Sequence, residues 1–111
     1  MVGMTATRST RFCLVRHGET DWNGERRIQG QIDIDLNARG EAQARAVAEG
    51  LAGQHFAAVY SSDLLRAWNT AQITVAGRQI AVSPAPTLRE RHFGVLQGVT
   101  SLEASERHPD V

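Results

Sequence analysis

Four side chains in this sequence have the types and the placement to handle a phosphoryl group. Arg16 and His17 close the apolar run Phe12-Cys13-Leu14-Val15. Arg66 follows Ser61-Ser62 at the opening of a helical pattern, and Glu90 falls in the loop after a third apolar run. Arginine forks can clamp the equatorial oxygens of a phosphoryl group through charge-assisted hydrogen bonds. A neutral imidazole can attack phosphorus in line, and a carboxylic acid can protonate the departing alkoxide. Splitting the transfer through a phosphohistidine makes sense without a metal, because the arginines supply the positive charge. Such chemistry requires elements that carry these distant residues to one place.

Phe12–Val15 is a short continuous apolar run, which predicts a strand covered on both faces, as in a parallel sheet. Within it Cys13 reads as a buried, inert thiol. A polar, glycine-punctuated stretch runs from Gly18 to about Asn37, longer than a simple connection needs, and is expected to be functional or disordered. Asn37 is a predicted N-cap for a helix over 38–53, whose Ala44, Val47, Ala48 and Leu51 make one apolar stripe and whose Gly53 suits the stop. A second strand is predicted over 56–62 and a second helix over 63–77, with Leu64, Ala67, Trp68, Ala71 and Val75 inward and Gly77 ending it. Residues 79–83 form a third, short strand, and Pro84 and Pro86 enforce an extended link beyond it. Thr100-Ser101-Leu102-Glu103 is a capping box that opens a last short helix, which halts before Pro109.

The order β-α-β-α-β predicts an α/β fold: three layers, α/β/α, around a mostly parallel sheet. Open parallel sheets bind ligands beyond the carboxyl ends of their strands, and Arg16, His17, Arg66 and Glu90 all follow predicted strands. On helix periodicity alone Arg66 would be an exposed arginine, and Glu90, between Arg89 and Arg91, a member of a solvated charge cluster. Their places after strands two and three argue for the site.

The bulk composition narrows the alternatives. A chain of 111 residues makes one domain at most, with 41% apolar and 22% charged residues and a formal net charge of zero. That balance argues against a nucleic-acid footprint. All twelve basic residues are arginine, so any anion site here uses planar forks rather than ammonium groups. A lone cysteine suits a reducing cytoplasm, and no run is long enough to span a membrane. The opening MVGMTATRSTR lacks the apolar centre of a signal peptide, and residues 1–10 are expected to be a disordered tail. There is no phosphate-cradling G-x-x-x-x-G-K-[ST], and Asp33 and Asp35 stand too isolated to cage a metal. His55 and His108 read as solvent-facing.

Taken together, LVRHGETDWN, RRIQGQIDIDLNARGEAQA, YSSDLLRAWNTA and LRERHFGVLQG resemble the histidine phosphatase superfamily, in its phosphoglycerate mutase-like branch, in order and in spacing. The resemblance covers nearly the whole chain from Phe12 onward. It implies that His17 is the phosphorylated nucleophile, that Arg16 and Arg66 hold the transferred group, and that Glu90 is the general acid and later the base. It also implies that Asn23, Gln29 and Gly30 belong to a substrate loop, with glycine letting backbone amides approach an anion. Trp22 is expected to pack that loop, Gly24 to serve a turn, and His92 to line or pack the pocket. No cofactor and no metal are implied. The expected partner is a small-molecule phosphate ester, with homodimer formation open and neither nucleic acid nor membrane involved.

Members of this family use a second active-site histidine in a His-Gly segment after a later strand, and this sequence contains none. Residues 11–111 therefore resemble the N-terminal part of a single histidine phosphatase domain with the C-terminal strands missing. Such a chain is expected to be weak or inactive alone, and to expose an apolar strand edge prone to aggregation. Phe93 and Ser101 stand where the mutases of the family supply a tyrosine and a lysine, and Gln29 resembles the hydrolases. These positions favour phosphomonoester hydrolysis over a phosphoglycerate mutase that depends on 2,3-bisphosphoglycerate. A pseudoenzyme that only binds phosphate is the remaining alternative, although binding needs neither a nucleophile nor an acid.

Overall fold

The computed structural model describes residues 9–92 and 94–107, without the side chain of Ser101. Most of the expected N-terminal tail, together with Phe93, His108 and Pro109, lies outside the described residues.

The stretch after His17 is more ordered than a bare loop. Helix α1, Asp21–Gly24, is one turn held by a reciprocal cap: the Thr20 hydroxyl accepts from the Asn23 amide at 3.2 Å, and the Asn23 side chain accepts from the Thr20 amide at 3.1 Å. Helix α2, Ala38–Gly50, begins at the predicted cap, where the Asn37 side chain accepts from the Gly40 amide at 2.8 Å. It ends three residues before Gly53, and Arg78 donates to the carbonyls of Leu51 and Gln54 just beyond its end.

Strands β1, Val59–Ser61, and β2, Val82–Pro84, pair in parallel with Val59 opposite Val82. Between them runs helix α3, Leu65–Thr74, which packs against both strands and against α2. This β-α-β crossover gives the expected parallel α/β arrangement. A 3-10 turn, Pro86–Leu88, interrupts the expected extended link, because Pro86 presets the dihedral angle for its first position. A second such turn covers Gly94–Leu96. Helix α4, Ser101–Arg107, opens on the predicted capping box, with Thr100 and Glu103 exchanging two hydrogen bonds at 3.1 Å. The residues before α4 also pair with the loop after α1: Ile28 donates to Val99 at 2.9 Å, and Gly98 donates to Ile28 at 2.7 Å.

The chain departs most from expectation at its first apolar run. Residues 12–15 are not a buried strand: Phe12 is 82% and Leu14 92% exposed, Cys13 is exposed too, and none belongs to a ladder among the described residues. An apolar run encodes a demand for cover, but a strand needs a partner backbone that its own sequence cannot supply. The interior is accordingly small, with Ala44, Leu64, Val75, Val82 and Val99 buried alongside the polar Thr20, Gln29, Ser61, Ser62, Arg66 and Thr70. Among the described residues no helix is long and apolar enough to cross a membrane.

Candidate active site

His17 is half-buried where the first apolar run ends. Its Nδ1 lies 2.7 Å from the carbonyl oxygen of Gly18. A carbonyl can only accept, so Nδ1 carries the hydrogen and Nε2 is left with its lone pair. Burial holds the imidazole below its ordinary value; Arg66 and Arg16 add to that effect, while the Gly18 carbonyl and Glu90 oppose it. The ring is thus kept neutral, with a defined nitrogen free to act as a base or nucleophile.

The turn carrying His17 is fixed from two sides. Thr70 on α3 accepts from the Gly18 amide at 2.9 Å and donates to the Arg66 carbonyl at 2.6 Å. On the other side Gly18 and Gly40 meet backbone to backbone, and a Cβ on Gly18 would collide with the Gly40 carbonyl. Only glycine permits that approach.

Arg66 is not a surface arginine: it is 2% exposed. Its Nη1 donates to the Ile32 carbonyl at 2.7 Å, and its Nη2 donates to the Gly30 carbonyl. A guanidinium has five donors, so these two carbonyls orient the fork without exhausting it. Burial lowers its affinity for the proton, and the charges of Glu90 and Asp33 offset this. Asp33 also accepts from the Leu65 amide at 2.6 Å, so the first turn of α3 is capped from the distant loop that Arg66 grips.

Glu90 is exposed, on a segment without regular structure. Its Oε1 accepts from the Arg91 amide at 2.7 Å, and its carbonyl accepts from the Gln31 side chain at 3.2 Å. The preceding residue, Arg89, forms a two-pronged ion pair with Asp63, with Nε to Oδ1 at 2.6 Å and Nη2 to Oδ2 at 2.5 Å.

Arg16, His17, Arg66 and Glu90 are among the residues that line one long cavity of about 770 Å³, which runs along β1 and the exposed 12–15 segment. A second hollow of about 510 Å³ opens on the other side of His17, lined by Arg16, Asn23, Arg39 and Gln43 among others. All four residues expected to handle a phosphoryl group therefore converge, and Asn23 adjoins them. Gln29 and Gly30 line neither cavity: Gln29 is buried and accepts from the Thr20 hydroxyl at 2.7 Å, while Gly30 supplies the carbonyl for Arg66. Gly30 has a φ of +55°, and the side chain of Gln97 fills the space that its Cβ would need. Trp22 lies over Gly98 and so packs the loop as expected. His92 is exposed, accepts from the Gly94 amide at 3.0 Å and lines neither cavity; His55 is exposed as expected. Among the described residues no three His, Cys, Asp or Glu side chains gather as a metal site would require.

Thr70, Asp33, Gln31, Gln97 and Asp63 support the site and escape sequence reading. Only Thr70 left a signal: it lies four residues after Arg66, so two polar side chains share one buried helix face.

The histidine phosphatase superfamily (branch 1) family model matches residues 12–111. Phosphoglycerate mutase-like protein 4 of Arabidopsis thaliana is 50% identical over 99 residues, covering 87% of this chain and 43% of the relative. A metal-independent phosphoserine phosphatase of the same plant is 49% identical over 104 residues, covering 91% and 43%. The structure of mycobacterial glucosyl-3-phosphoglycerate phosphatase with VO3 superposes with a TM-score of 0.79 at 39% identity, covering 84% of this chain and 46% of that one. The chain thus spans less than half the length of each of these relatives.

Proposed function

The chain belongs to the histidine phosphatase superfamily (branch 1), and from that premise we propose that it serves phosphomonoester hydrolysis through a phosphohistidine at His17. The observation that carries this reading is the state of His17: Nδ1–H is engaged by the Gly18 carbonyl, and the neutral ring shares a cavity with Arg16, Arg66 and Glu90.

In the first step Nε2 of His17 attacks phosphorus, forming a P–N bond. The P–O bond to the leaving group breaks, its electron pair departs on oxygen, and that oxygen takes the proton of the Glu90 carboxyl. The arginine forks of Arg16 and Arg66 balance charge on the three phosphoryl oxygens. In the second step a water attacks the phosphohistidine as Glu90 accepts its proton. The P–N bond breaks and returns its pair to Nε2, leaving an alcohol and inorganic phosphate. We assign Asn23 to the substrate's non-reacting part, because it adjoins His17 in the second hollow. Gln29 and Gly30 then act by shaping the loop behind Arg66.

The substrate class is a small-molecule phosphate ester. One named relative is a phosphoserine phosphatase and another a glucosyl-3-phosphoglycerate phosphatase, which supports water as the acceptor. The name of a third carries the mutase alternative. A single cysteine suits a reducing cytoplasm, and a net charge of zero suits a small ligand rather than nucleic acid.

The test is acid-labile phosphate on the 111-residue chain after prolonged exposure to a labelled phosphate ester, a single transfer that registers even where turnover is weak. Label on His17, absent from His17→Ala, is expected; a chain that binds phosphate but never takes label overturns the reading in favour of a pseudoenzyme. Product analysis with 3-phosphoglycerate then separates hydrolysis, which releases phosphate, from isomerisation, which does not.

A further inference from the structure

We propose that Asp63 is a positioning residue for Glu90, acting through Arg89. The inference rests on Glu90 being the acid–base group of the proposed reaction.

Glu90 lies outside any helix or strand, between Arg89 and Arg91, and is exposed. A general acid must nevertheless stand within hydrogen-bond reach of the leaving oxygen, and a displacement of about 1 Å can cost on the order of a hundredfold in rate. Something must therefore fix residues 89–92. The described residues include a tether on each side of the Glu90 Cα. Toward the N-terminus, both prongs of the Arg89 guanidinium engage both carboxylate oxygens of Asp63, at 2.6 and 2.5 Å. On the other side, the Gln31 side chain donates to the Glu90 carbonyl at 3.2 Å.

The two-pronged geometry matters more than the charge. A single ion contact leaves a long side chain free to swing, whereas a fork sets the plane of the guanidinium and so the course of the backbone behind it. Asp63 is itself well held, between the buried Ser62 and Leu64, with the Leu64 amide donating to the Ser62 hydroxyl at 3.2 Å. It sits at the turn from β1 into α3, just before Arg66. The arginine that would hold the phosphoryl group and the carboxylate that would protonate the leaving group are thus referenced to one short segment. The pair is partly exposed, with side chains 39% and 32% accessible, and pairs of that kind add little to global stability. Its orienting role can therefore be separated from folding.

Asp63 lines neither cavity, so its loss should weaken protonation of the leaving group and spare phosphoryl binding. The measurement is the rate at which the chain takes labelled phosphoryl on His17 from an alkyl phosphate, whose oxygen needs the proton, and from p-nitrophenyl phosphate, whose oxygen scarcely does. Asp63→Asn should slow uptake from the alkyl phosphate by about tenfold or more and uptake from p-nitrophenyl phosphate by less than about twofold. Arg89→Lys, which keeps the charge and loses the fork, should show the same pattern, and the exchanged pair D63R/R89D should recover part of the alkyl rate. Equal slowing of both substrates, or an Arg89→Lys variant indistinguishable from the parent, would overturn the inference while leaving the His17 reading intact. No uptake by the parent chain from either ester would sink both, and the parent control tells the two failures apart.

Discussion

Thr70 on α3 holds the amide of Gly18, 52 residues earlier in the chain, at 2.9 Å, and passes its own hydroxyl hydrogen to the carbonyl of Arg66 at 2.6 Å. One small side chain thereby fastens the turn bearing His17 to the helix bearing Arg66. The hydroxyl is buried.

Thr70→Val keeps the shape and removes both bonds, leaving the buried Gly18 amide without its acceptor. Loss of about 1–3 kcal/mol in chemical denaturation is expected. Phosphoryl uptake on His17 should fall further than stability alone explains. A variant with unchanged stability and unchanged uptake would show that the turn is held some other way.

Asp33 caps α3 from outside the helix, accepting from the Leu65 amide at 2.6 Å, while the neighbouring Ile32 carbonyl receives Arg66. Asp33→Ala should cost about 0.5–2 kcal/mol, as loss of a helix cap does. Affinity for vanadate or inorganic phosphate should drop as well, because the loop that orients the fork is released. Asp33→Asn, which keeps an accepting oxygen, should restore most of the stability. Isothermal titration alongside denaturation separates the two effects.

The pH dependence follows from His17. Burial first, then Arg66 and Arg16, hold its folded value below the ordinary 6.5, against the Gly18 carbonyl and Glu90. As pH falls the unfolded chain takes the proton first, so the ring's contribution to stability is complete above about pH 6.5 and erodes down to the lower folded value. The stability difference between the parent chain and His17→Asn, measured from about pH 8 to pH 5, isolates this from the carboxylates. It should be flat at the alkaline end and shift against the parent in acid. Uptake of phosphoryl, which needs the neutral ring, should persist below pH 6.5 rather than failing there.

The uncovered apolar run predicts self-association. Phe12 and Leu14 are 82% and 92% exposed, and contiguous exposed apolar residues with unpaired backbone recruit other chains. Light scattering should show concentration-dependent growth of the parent chain. Leu14→Lys should suppress it without altering the far-ultraviolet circular dichroism, since Leu14 has almost no contacts to lose. A parent chain that stays monodisperse at high concentration would contradict this.

What the sequence carried was whatever depends on neighbours in the chain. The caps at Asn37 and Thr100 and the β-α-β order are local rules, and they hold in the structure. The four candidate side chains were legible because their residue types declare a chemistry, even though the strand expected before Arg16 and His17 does not form among the described residues. The residues that hold them were not, since Thr70, Asp33, Gln31, Gln97 and Asp63 are ordinary polar residues, each with a partner 26 or more positions away. Arg66 shows the division most plainly. Helical spacing alone would have it solvated, but its burial comes from the Gly30 and Ile32 carbonyls, which folding brings to it. The run at 12–15 shows the converse. Its composition states a preference for burial, and only a neighbouring backbone can satisfy it, because hydrogen bonds between strands and cover over apolar faces are made between segments and never within one.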